Sequence, residues 1–265
     1  MLGNGLTEVS LSRLTHAYNY EQDVVAKFVS RNFQNSIRKK FSLSNLKKLN
    51  LARNKIKSMP DDFFAKLNMS ELRTLVLDRN PFEAATFSAA TFRGAHESLV
   101  ALSLNGIDFD FESRDAIRAL NALENLQSLK INGNGARDVT KSSKSTAIYN
   151  HESDQLSLKS LSSLELQSNG FREFPYFLCN LENLVDLDLS SNHLSSFNLD
   201  CLLFKLRNES FYEMSKLKQL NLNNNPLKCD CQMRKVKIWL MRNYDRDLLD
   251  LIRWKCAEPF ELKGN

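Results

Sequence analysis

One spacing of apolar residues and asparagine recurs along the chain and constrains its fold more than any other feature. It is complete at Leu184, Leu187, Leu189, Asn192 and Leu194, which follow the pattern L-x-x-L-x-L-x-x-N-x-L. Leu187 and Leu189 alternate, so both side chains point to one buried face of a short strand. An asparagine at the turn after the strand can satisfy backbone groups that the turn leaves unpaired. One such unit cannot bury its own apolar face, so the spacing is informative because it recurs.

The spacing defines about eight units, whose first leucines are Leu6, Leu46, Leu72, Leu99, Leu126, Leu161, Leu184 and Leu217. Two units are degenerate, because Ile107 and Leu14 stand where the others have asparagine. From Leu46 onward, consecutive first leucines lie 23–35 residues apart. Units of this type usually repeat every 20–29 residues or so, and roughly three are enough for a stable stack. The two longer intervals therefore contain insertions.

This pattern resembles the leucine-rich repeat proteins, and its irregular repeat length resembles the animal extracellular members, including Toll-like and leucine-rich-repeat/immunoglobulin receptors. The resemblance implies an α/β solenoid, a horseshoe with a parallel β-sheet on its concave face and helices or irregular turns on its convex side. Apolar residues between the strands fit the convex returns: Phe63, Phe64, Leu67, Phe92, Phe211 and Met214, with Pro175, Leu178 and Leu181 in a shorter return.

Three segments interrupt the rhythm of the repeats and predict insertions near residues 15–40, 135–158 and 198–209. Apolar residues at helical spacing between Glu21 and Ile37 predict an amphipathic helix, which either packs on the convex side or binds a partner. Residues 135–155 are polar and aperiodic, which predicts a loop. The leucines between Asn198 and Glu209 predict a short helical turn.

The C-terminal residues 225–265 carry a second signature, which divides the chain into a solenoid over residues 1–224 and a cap. Asn225, Pro226, Cys229 and Cys231 follow the last repeat, and Cys256 opens the sequence C-x-x-P-x-x-L-x-G. These motifs resemble the cysteine-rich C-terminal flanking cap of extracellular leucine-rich repeat proteins. Such a cap covers the apolar edge that the last repeat exposes. The fourth cysteine of the family is missing, which suggests a truncated cap and a fragment of a larger protein or an incomplete gene model.

Several functional classes find no support in the sequence. The four histidines lie in unrelated repeats, the five cysteines show no C-x-x-C spacing, and no phosphate-binding or nucleophile motif occurs. We therefore expect no enzyme, metal, cofactor or small-molecule substrate. The net charge of +5 is spread over the chain rather than gathered in an aromatic patch, which argues against a nucleic-acid partner. No run of 18 apolar residues occurs, and the start does not resemble a signal peptide.

The sequence therefore favours a protein-binding module from the ectodomain of a cell-surface or secreted receptor or adhesion protein, membrane-anchored in its full-length form. The alternative is an intracellular leucine-rich repeat scaffold or regulatory subunit. A protein ligand or co-receptor is expected on the concave face, where the variable strand positions converge. The candidate residues run from basic to acidic: Lys48, Asn50, Arg53, Asp78, Arg79, Glu165, Gln167, Asp186, Asp188, Gln219 and Asn221. The competing interpretation is a solvated polar face, with binding at the 135–155 loop or the edges.

The resemblance to the flanking cap implies that Cys229 pairs with Cys256 and leaves Cys231 without its usual partner. Cys179 and Cys201 occupy nearly equivalent places in adjacent repeats, where either a disulfide or two buried free thiols would fit. Zinc at Cys229 and Cys231 is the weaker alternative to a disulfide. Asn68 and Asn208 lie in N-x-S sequons outside the strands and are candidate glycosylation sites.

Overall fold

The structure is a computed structural model that describes residues 8–10, 43–82, 87–111, 113–134, 156–195, 204–207, 211–214, 216–228, 241 and 256–258. For residues 8–10, 204–207, 211–214 and 256–258, only the backbone is described. The helix expected over residues 21–37 and the loop expected over residues 135–155 lie outside the described residues.

Short strands recur at the spacing of the leucines. In chain order they are β1 (Glu8–Ser10), β2 (Lys48–Asn50), β3 (Thr74–Val76), β4 (Ala101–Ser103), β5 (Ser128–Lys130), β6 (Ser163–Glu165), β7 (Asp186–Asp188), β8 (Phe204–Arg207), β9 (Phe211–Met214), β10 (Gln219–Asn221), β11 (Leu227–Lys228) and β12 (Cys256–Glu258). Eight of them form one sheet in the order β1-β2-β3-β4-β5-β6-β7-β10, and every neighbouring pair is parallel. Each strand of this sheet begins two residues after the first leucine of its unit.

The alternation of apolar and polar residues sets which face of the sheet is buried. In β7, Leu187 is buried between Asp186 and Asp188, and Leu184 and Leu189 on either side of the strand are buried as well. The central residues of adjacent strands are in register, as Leu164 pairs with Leu187 and Leu187 with Leu220. The leucines therefore stack from repeat to repeat into one continuous core.

The segments between the strands are short helices and turns that bury phenylalanine. They include α1 (Phe63–Lys66), α2 (Arg114–Asn121) and a 3₁₀ helix (Tyr176–Asn180). Each ring contacts the next in the series Phe64, Phe92, Phe87, Phe109, Phe111 and Phe177. The interpretation of Phe63, Phe64 and Phe92 as core residues agrees with this packing. The returns thus contribute a second apolar stack beside the leucines.

One sequence prediction is wrong. The sequence predicts a short helical turn between Asn198 and Glu209, but residues 204–207 form strand β8, which pairs antiparallel with β9 at residues 211–214. Phe204 and Leu206 alternate with Lys205 and Arg207, which is the period of two that favours a strand. The segment is an inserted hairpin with a separate two-stranded sheet.

The C-terminal residues add a third small sheet. Strands β11 and β12 pair in parallel, with Leu227 opposite Cys256 and Lys228 opposite Glu258. Residues 229–240 and 242–255 lie outside the described residues, so the division of the chain into solenoid and cap stays a prediction. In the part of the chain that is described, no helix has the length and apolar character needed to cross a membrane.

Candidate functional site: the concave face of the sheet

Three rows of side chains cross the outer face of the eight-stranded sheet. The first row consists of the first residue of strands β2 to β7 and β10: Lys48, Thr74, Ala101, Ser128, Ser163, Asp186 and Gln219. The second row consists of the third residue of the same strands: Asn50, Val76, Ser103, Lys130, Glu165, Asp188 and Asn221. The third row lies two residues further on: Ala52, Asp78, Asn105, Asn132, Gln167, Ser190 and Asn223. Nine of the eleven candidate ligand-binding residues fall in these rows, and Arg53 and Arg79 lie just beyond the third row.

Asp188 is held in place by its neighbours on the face. Its Oδ2 accepts hydrogen bonds from Gln167 Nε2 at 2.8 Å and from Asn221 Nδ2 at 2.9 Å. Its Oδ1 accepts a bond from the Ser190 N–H at 2.8 Å. Three donors saturate most of the acceptor capacity of a carboxylate. Gln167, Asp188 and Asn221, all predicted as ligand contacts, therefore bond to one another and tie β6, β7 and β10 together.

Glu165 is engaged in a similar way near the middle of the sheet. Its Oε1 lies 2.7 Å from Lys130 Nζ, and its Oε2 accepts a bond from Asn132 Nδ2 at 3.0 Å. The ion pair cancels the charge of both residues on this part of the face. Neither Lys130 nor Asn132 was among the predicted residues, although both stand at the row positions of their repeat.

Asp78 makes the corresponding contacts between β3 and β4. Its Oδ1 accepts bonds from Ser103 Oγ at 2.7 Å and from the Asn105 N–H at 2.9 Å, and its Oδ2 accepts from Asn105 Nδ2 at 3.1 Å. All three bonds point toward the β4 repeat. Sequence reasoning named Asp78 and missed Ser103 and Asn105, because it drew no candidates from the repeats of β4 and β5. Ser103 and Asn105 follow the first leucine of their repeat at the same distances as the second-row and third-row residues of the other repeats, so counting from Leu99 would have identified them.

The predicted residues of the first row differ in exposure. Lys48 and Gln219 are exposed, and Asp186 is half-buried. Asp186 precedes Asp188 by two residues on the same strand, yet only Asp188 bonds to the neighbouring repeats. The structure therefore separates the two aspartates, which the sequence had treated alike: Asp188 holds the face together, whereas Asp186 lies open to a partner.

A column of residues with left-handed backbone borders the third row. One residue per repeat, directly before the position of the repeat's asparagine, has a φ between 54° and 67°: Arg53, Arg79, Gly106, Gly133, Ser168, Ser191 and Asn224. The N–H groups of the first six donate to carbonyls of the next repeat, as from Arg53 to Asp78 at 2.7 Å and from Gly133 to Gln167 at 2.8 Å. This turn carries the chain off the strand and sets the direction of the side chains that follow it.

Behind the face, the repeated asparagines form a buried ladder. Asn192 Oδ1 accepts bonds from the N–H groups of Asn169 (2.9 Å) and Phe171 (3.2 Å), and its Nδ2 donates to the carbonyls of Leu166 (2.9 Å) and Leu189 (2.8 Å). Asn54, Asn80, Asn134, Asn169 and Asn225 are likewise buried and bonded to backbone groups. The expectation that the asparagine amide satisfies backbone groups at the turn is confirmed.

Comparison with known proteins agrees with this geometry. The Leucine Rich Repeat family matches residues 45–67. The crystal structure of human 5T4 (Wnt-activated inhibitory factor 1, Trophoblast glycoprotein) superposes with a TM-score of 0.58 at 27% identity, covering 84% of this chain and 75% of that one. The fold is a leucine-rich repeat solenoid.

Two further solved structures are similar to this leucine-rich repeat solenoid at lower levels. The mouse RP105/MD-1 complex gives a TM-score of 0.47 at 21% identity, covering 84% of this chain and 41% of that one. An internalin (inlF) from Listeria monocytogenes gives 0.46 at 18% identity, covering 73% of this chain and 46% of that one. No curated protein matches the chain in sequence.

The other predicted site residues of the solenoid are described only in part. Cys179, in the 3₁₀ helix, is disulfide-bonded. Asn68 is exposed two residues after the end of α1, with a φ of 52°. Cys201, Cys229 and Asn208 lie outside the described residues, as does the side chain of Cys256. Within the described ranges, no group of three His, Cys, Asp or Glu side chains is placed to hold a metal ion.

Proposed function

We propose that the chain is a non-catalytic protein-binding module that binds a protein ligand on the concave face of its sheet. The observation that carries the proposal is the separation of roles on that face. Asp78, Glu165 and Asp188 are satisfied by neighbouring repeats, so the scaffold is rigid, while Lys48, Asp186 and other first-row residues project from it. A rigid floor with projecting variable side chains suits recognition, because little conformational entropy is lost when a partner binds.

We place this module outside the cell, on the surface or in a secreted protein. Three observations support that location. Cys179 is disulfide-bonded, and disulfides persist outside the cytosol. Cys256 pairs with Leu227 across β11 and β12, and Cys229 follows β11 directly in the sequence. The similar 5T4 protein is named a glycoprotein, and Asn68 of this chain is an exposed sequon asparagine.

Photo-crosslinking tests the binding face. A benzophenone amino acid placed at Ser128 or Asp186 on the concave face should crosslink a protein from the surface of intact cells or from serum. The same amino acid at Glu124, an exposed residue before β5, is the matched control. Crosslinks from Glu124 alone would show that the binding surface lies elsewhere.

A charge variant sharpens the same test. Asp186→Lys should abolish or weaken capture of the crosslinked partner by reversing an outward charge, whereas Glu124→Lys should leave capture unchanged. Asp188→Lys is unsuitable here, because it would remove three hydrogen bonds within the face. Capture that is indifferent to Asp186→Lys and to bulky substitutions at Ser128 would argue for a solvated face.

Non-reducing peptide mapping of protein from an oxidising host tests the extracellular assignment. We expect a Cys229–Cys256 bridge and a Cys179–Cys201 bridge, with Cys231 carrying the unpaired thiol. A free thiol at Cys229 would contradict the cap and weaken the extracellular location. Cys179 joined to Cys231 would correct the second bridge alone, whereas Cys179 joined to Cys229 or Cys256 would contradict both bridges.

A further inference from the structure

Asn-Gly pairs recur along this chain, and the proposed function does not use them. The sequence contains five pairs, whose asparagines are Asn4, Asn105, Asn132, Asn134 and Asn169. In two of the pairs, the asparagine is the third-row residue of its repeat and the glycine belongs to the left-handed column: Asn105 with Gly106, and Asn132 with Gly133. These two pairs belong to the adjacent repeats of β4 and β5, so they lie side by side near the middle of the concave face.

The fold does not require glycine at these two places in the column. The other repeats have arginine, serine or asparagine there, with φ values between 54° and 58°. A Cβ on Gly133 would meet no atom within 4 Å, and a Cβ on Gly106 would lie 3.6 Å from Arg79 Cγ, which is an ordinary contact. The glycines are therefore not needed for space, and they leave the peptide nitrogen after each asparagine without the steric protection of a side chain.

An asparagine that precedes glycine can be converted without an enzyme. The glycine peptide nitrogen loses its proton and attacks the Cγ of the asparagine, so that a C–N bond forms and Nδ2 leaves as ammonia. Water then opens the cyclic imide at either carbonyl and gives aspartate or isoaspartate. Each conversion replaces a neutral amide by a carboxylate and removes the Nδ2 donor, and isoaspartate also adds a methylene to the backbone.

We propose that Asn105 and Asn132 are sites of spontaneous deamidation, and that the hydrogen bonds of the third row set the rate at which each of them converts. The reaction needs water alone as a co-reactant. It adds negative charge to the centre of the surface that we assign to partner binding. The chemistry does not depend on that assignment, because the nitrogen that attacks and the amide that leaves both belong to this chain.

The β6 repeat holds the Asn132 side chain in place. Its Oδ1 accepts a bond from the Gln167 N–H at 2.8 Å, and its Nδ2 donates to Glu165 Oε2 at 3.0 Å. The attacking nitrogen is engaged as well, because the Gly133 N–H donates to the Gln167 carbonyl at 2.8 Å. The imide can form only when these bonds open, so conversion in the folded chain follows a local opening between the repeats of β5 and β6.

Asn105 is held by a different set of partners. Its Oδ1 accepts a bond from the Asn132 N–H at 2.7 Å, and its Nδ2 donates to Asp78 Oδ2 at 3.1 Å and to Ser103 Oγ at 3.0 Å. The Gly106 N–H donates to the Asn132 carbonyl at 2.8 Å. The carboxylates that hold the two asparagines therefore differ, and the two sites can be loosened separately.

Asn169 provides an internal reference, because it also precedes a glycine, Gly170, but lies in the buried ladder. It is only 6% exposed. Its Oδ1 accepts a bond from the Asn134 N–H at 2.9 Å, and its Nδ2 donates to the Ile131 carbonyl. Conversion at Asn169 requires that water reaches the ladder, so we expect it to be slower than conversion on the concave face.

Peptide mapping by mass spectrometry tests the proposal on the full chain. The protein is held in mildly alkaline buffer, with a second sample in concentrated urea, and portions taken over time are digested under acidic conditions that suppress further conversion. Isoaspartate is identified with protein isoaspartyl methyltransferase. In urea, all five pairs should convert at comparable rates. In the folded chain, Asn105 and Asn132 should convert more slowly than in urea and faster than Asn169.

Two carboxylate variants make the decisive comparison. Glu165→Ala should speed conversion at Asn132 about fivefold, because the loss of one hydrogen bond raises the population of the open form by about that factor. It should leave the rate at Asn105 unchanged. Asp78→Ala should have the opposite selectivity. Lys130→Ala is the matched control, since it removes the ion pair with Glu165 and leaves the bond from Asn132 to Glu165 in place.

Gly133→Ser copies Ser168 of the next repeat and should nearly stop conversion at Asn132, because a side chain on the attacking residue hinders ring closure. Equal rates in the folded chain and in urea, slower conversion on the face than in the buried ladder, or equal acceleration of both face sites by Glu165→Ala would each overturn the proposal. Successful crosslinking from Ser128 without conversion would leave the proposed function standing and remove this modification. Conversion without crosslinking would keep the modification and remove the binding face.

Discussion

The buried asparagines show how much of this structure depends on single side chains. Asn192 satisfies two N–H groups and two carbonyls that would otherwise be buried without partners. Burying such groups unpaired costs about 1–3 kcal/mol each, which exceeds the gain from any one exposed contact. A leucine, which has the same branching, could not replace these bonds.

Asn192→Ala should lower the free energy of unfolding by about 3 kcal/mol, because it leaves several buried backbone groups of two repeats without hydrogen-bond partners. Urea denaturation followed by circular dichroism measures the change. Asn125→Ala is the matched control: Asn125 is exposed and bonds only to the Glu97 carbonyl, so it should cost about 0.5 kcal/mol or less. Equal effects at the two sites would mean that the ladder does not carry this stability.

Gly94 is required for a close approach between adjacent returns. A Cβ at this position would lie 2.4 Å from the Ala65 backbone, and the φ of 93° already disfavours other residues. Gly94→Ala should therefore destabilise the fold by about 3 kcal/mol or more, since it combines strain with overpacking. Gly133→Ala provides the comparison, because its φ is 67° and no atom lies within 4 Å of the added Cβ.

Gly133→Ala should lower the free energy of unfolding by about 1 kcal/mol, because only the steric cost of a Cβ on left-handed backbone applies there. The difference between the two variants in thermal or urea unfolding isolates the steric contribution at Gly94. Equal losses of unfolding free energy in the two variants would show that the two returns can move apart at Ala65 without destabilising the fold.

Among the secondary structure elements, the strands of the large sheet were predictable and the hairpin was not. The spacing of Leu184, Leu187 and Leu189 fixes a strand because each leucine must reach the same core. Residues 204–214 belong to an insertion, where no repeat imposes a period. Clustered leucines there suggested a helix, while the alternation in β8 and β9 was short enough to be overlooked.

The candidate site was predictable in position but not in role. Counting from the first leucine placed Asp186 and Asp188 correctly on the face. The sequence could not show that Asp188 accepts three bonds and Asp186 joins none of them, because that depends on Gln167 and Asn221 in neighbouring repeats. Lys130 was missed because the β5 repeat supplied no candidates, and its ion pair with Glu165, 35 residues further along the chain, depends on the stacking of the two repeats.

The β3–β4 junction has a distinct set of connections. Ile107 supplies no amide, so the asparagine ladder lacks the side-chain link that joins the other repeats. Asp78 bridges the same pair of strands on the opposite side through Ser103 and Asn105. Asp78→Ala should cost about 2 kcal/mol and speed amide exchange in β4, because it removes the hydrogen bonds that the Asp78 carboxylate accepts from Ser103 and Asn105.

Asp186→Ala is the control for that substitution, since Asp186 lies on the same face outside the network. It should change the free energy of unfolding by about 0.5 kcal/mol or less. Exchange in β4 that is unaffected by Asp78→Ala would show that the leucine core and the backbone hydrogen bonds between β3 and β4 are enough to couple the two repeats.

For the whole molecule, the order of the sheet predicts a gradient of local stability. Strand β1 is at the edge and pairs with β2 alone, whereas β4, β5 and β6 each have a parallel neighbour on both sides. Hydrogen exchange measured by mass spectrometry should be slowest in the central strands and at least tenfold faster in β1. Uniform protection across the sheet would indicate a single cooperative unit, in contrast to the behaviour typical of solenoids.

The direction of the asparagine bonds has a consequence for synthesis on the ribosome. Asn192 bonds back to Asn169, Phe171 and Leu166, all of which leave the ribosome before it. Asn225 reaches back in the same way to Leu189 and Leu194. At about 5–20 residues per second, a new repeat emerges every few seconds and completes the polar bonding of the one before it. The nascent chain thus gains order one turn at a time, and its most recent repeat remains unfinished until the next asparagine arrives.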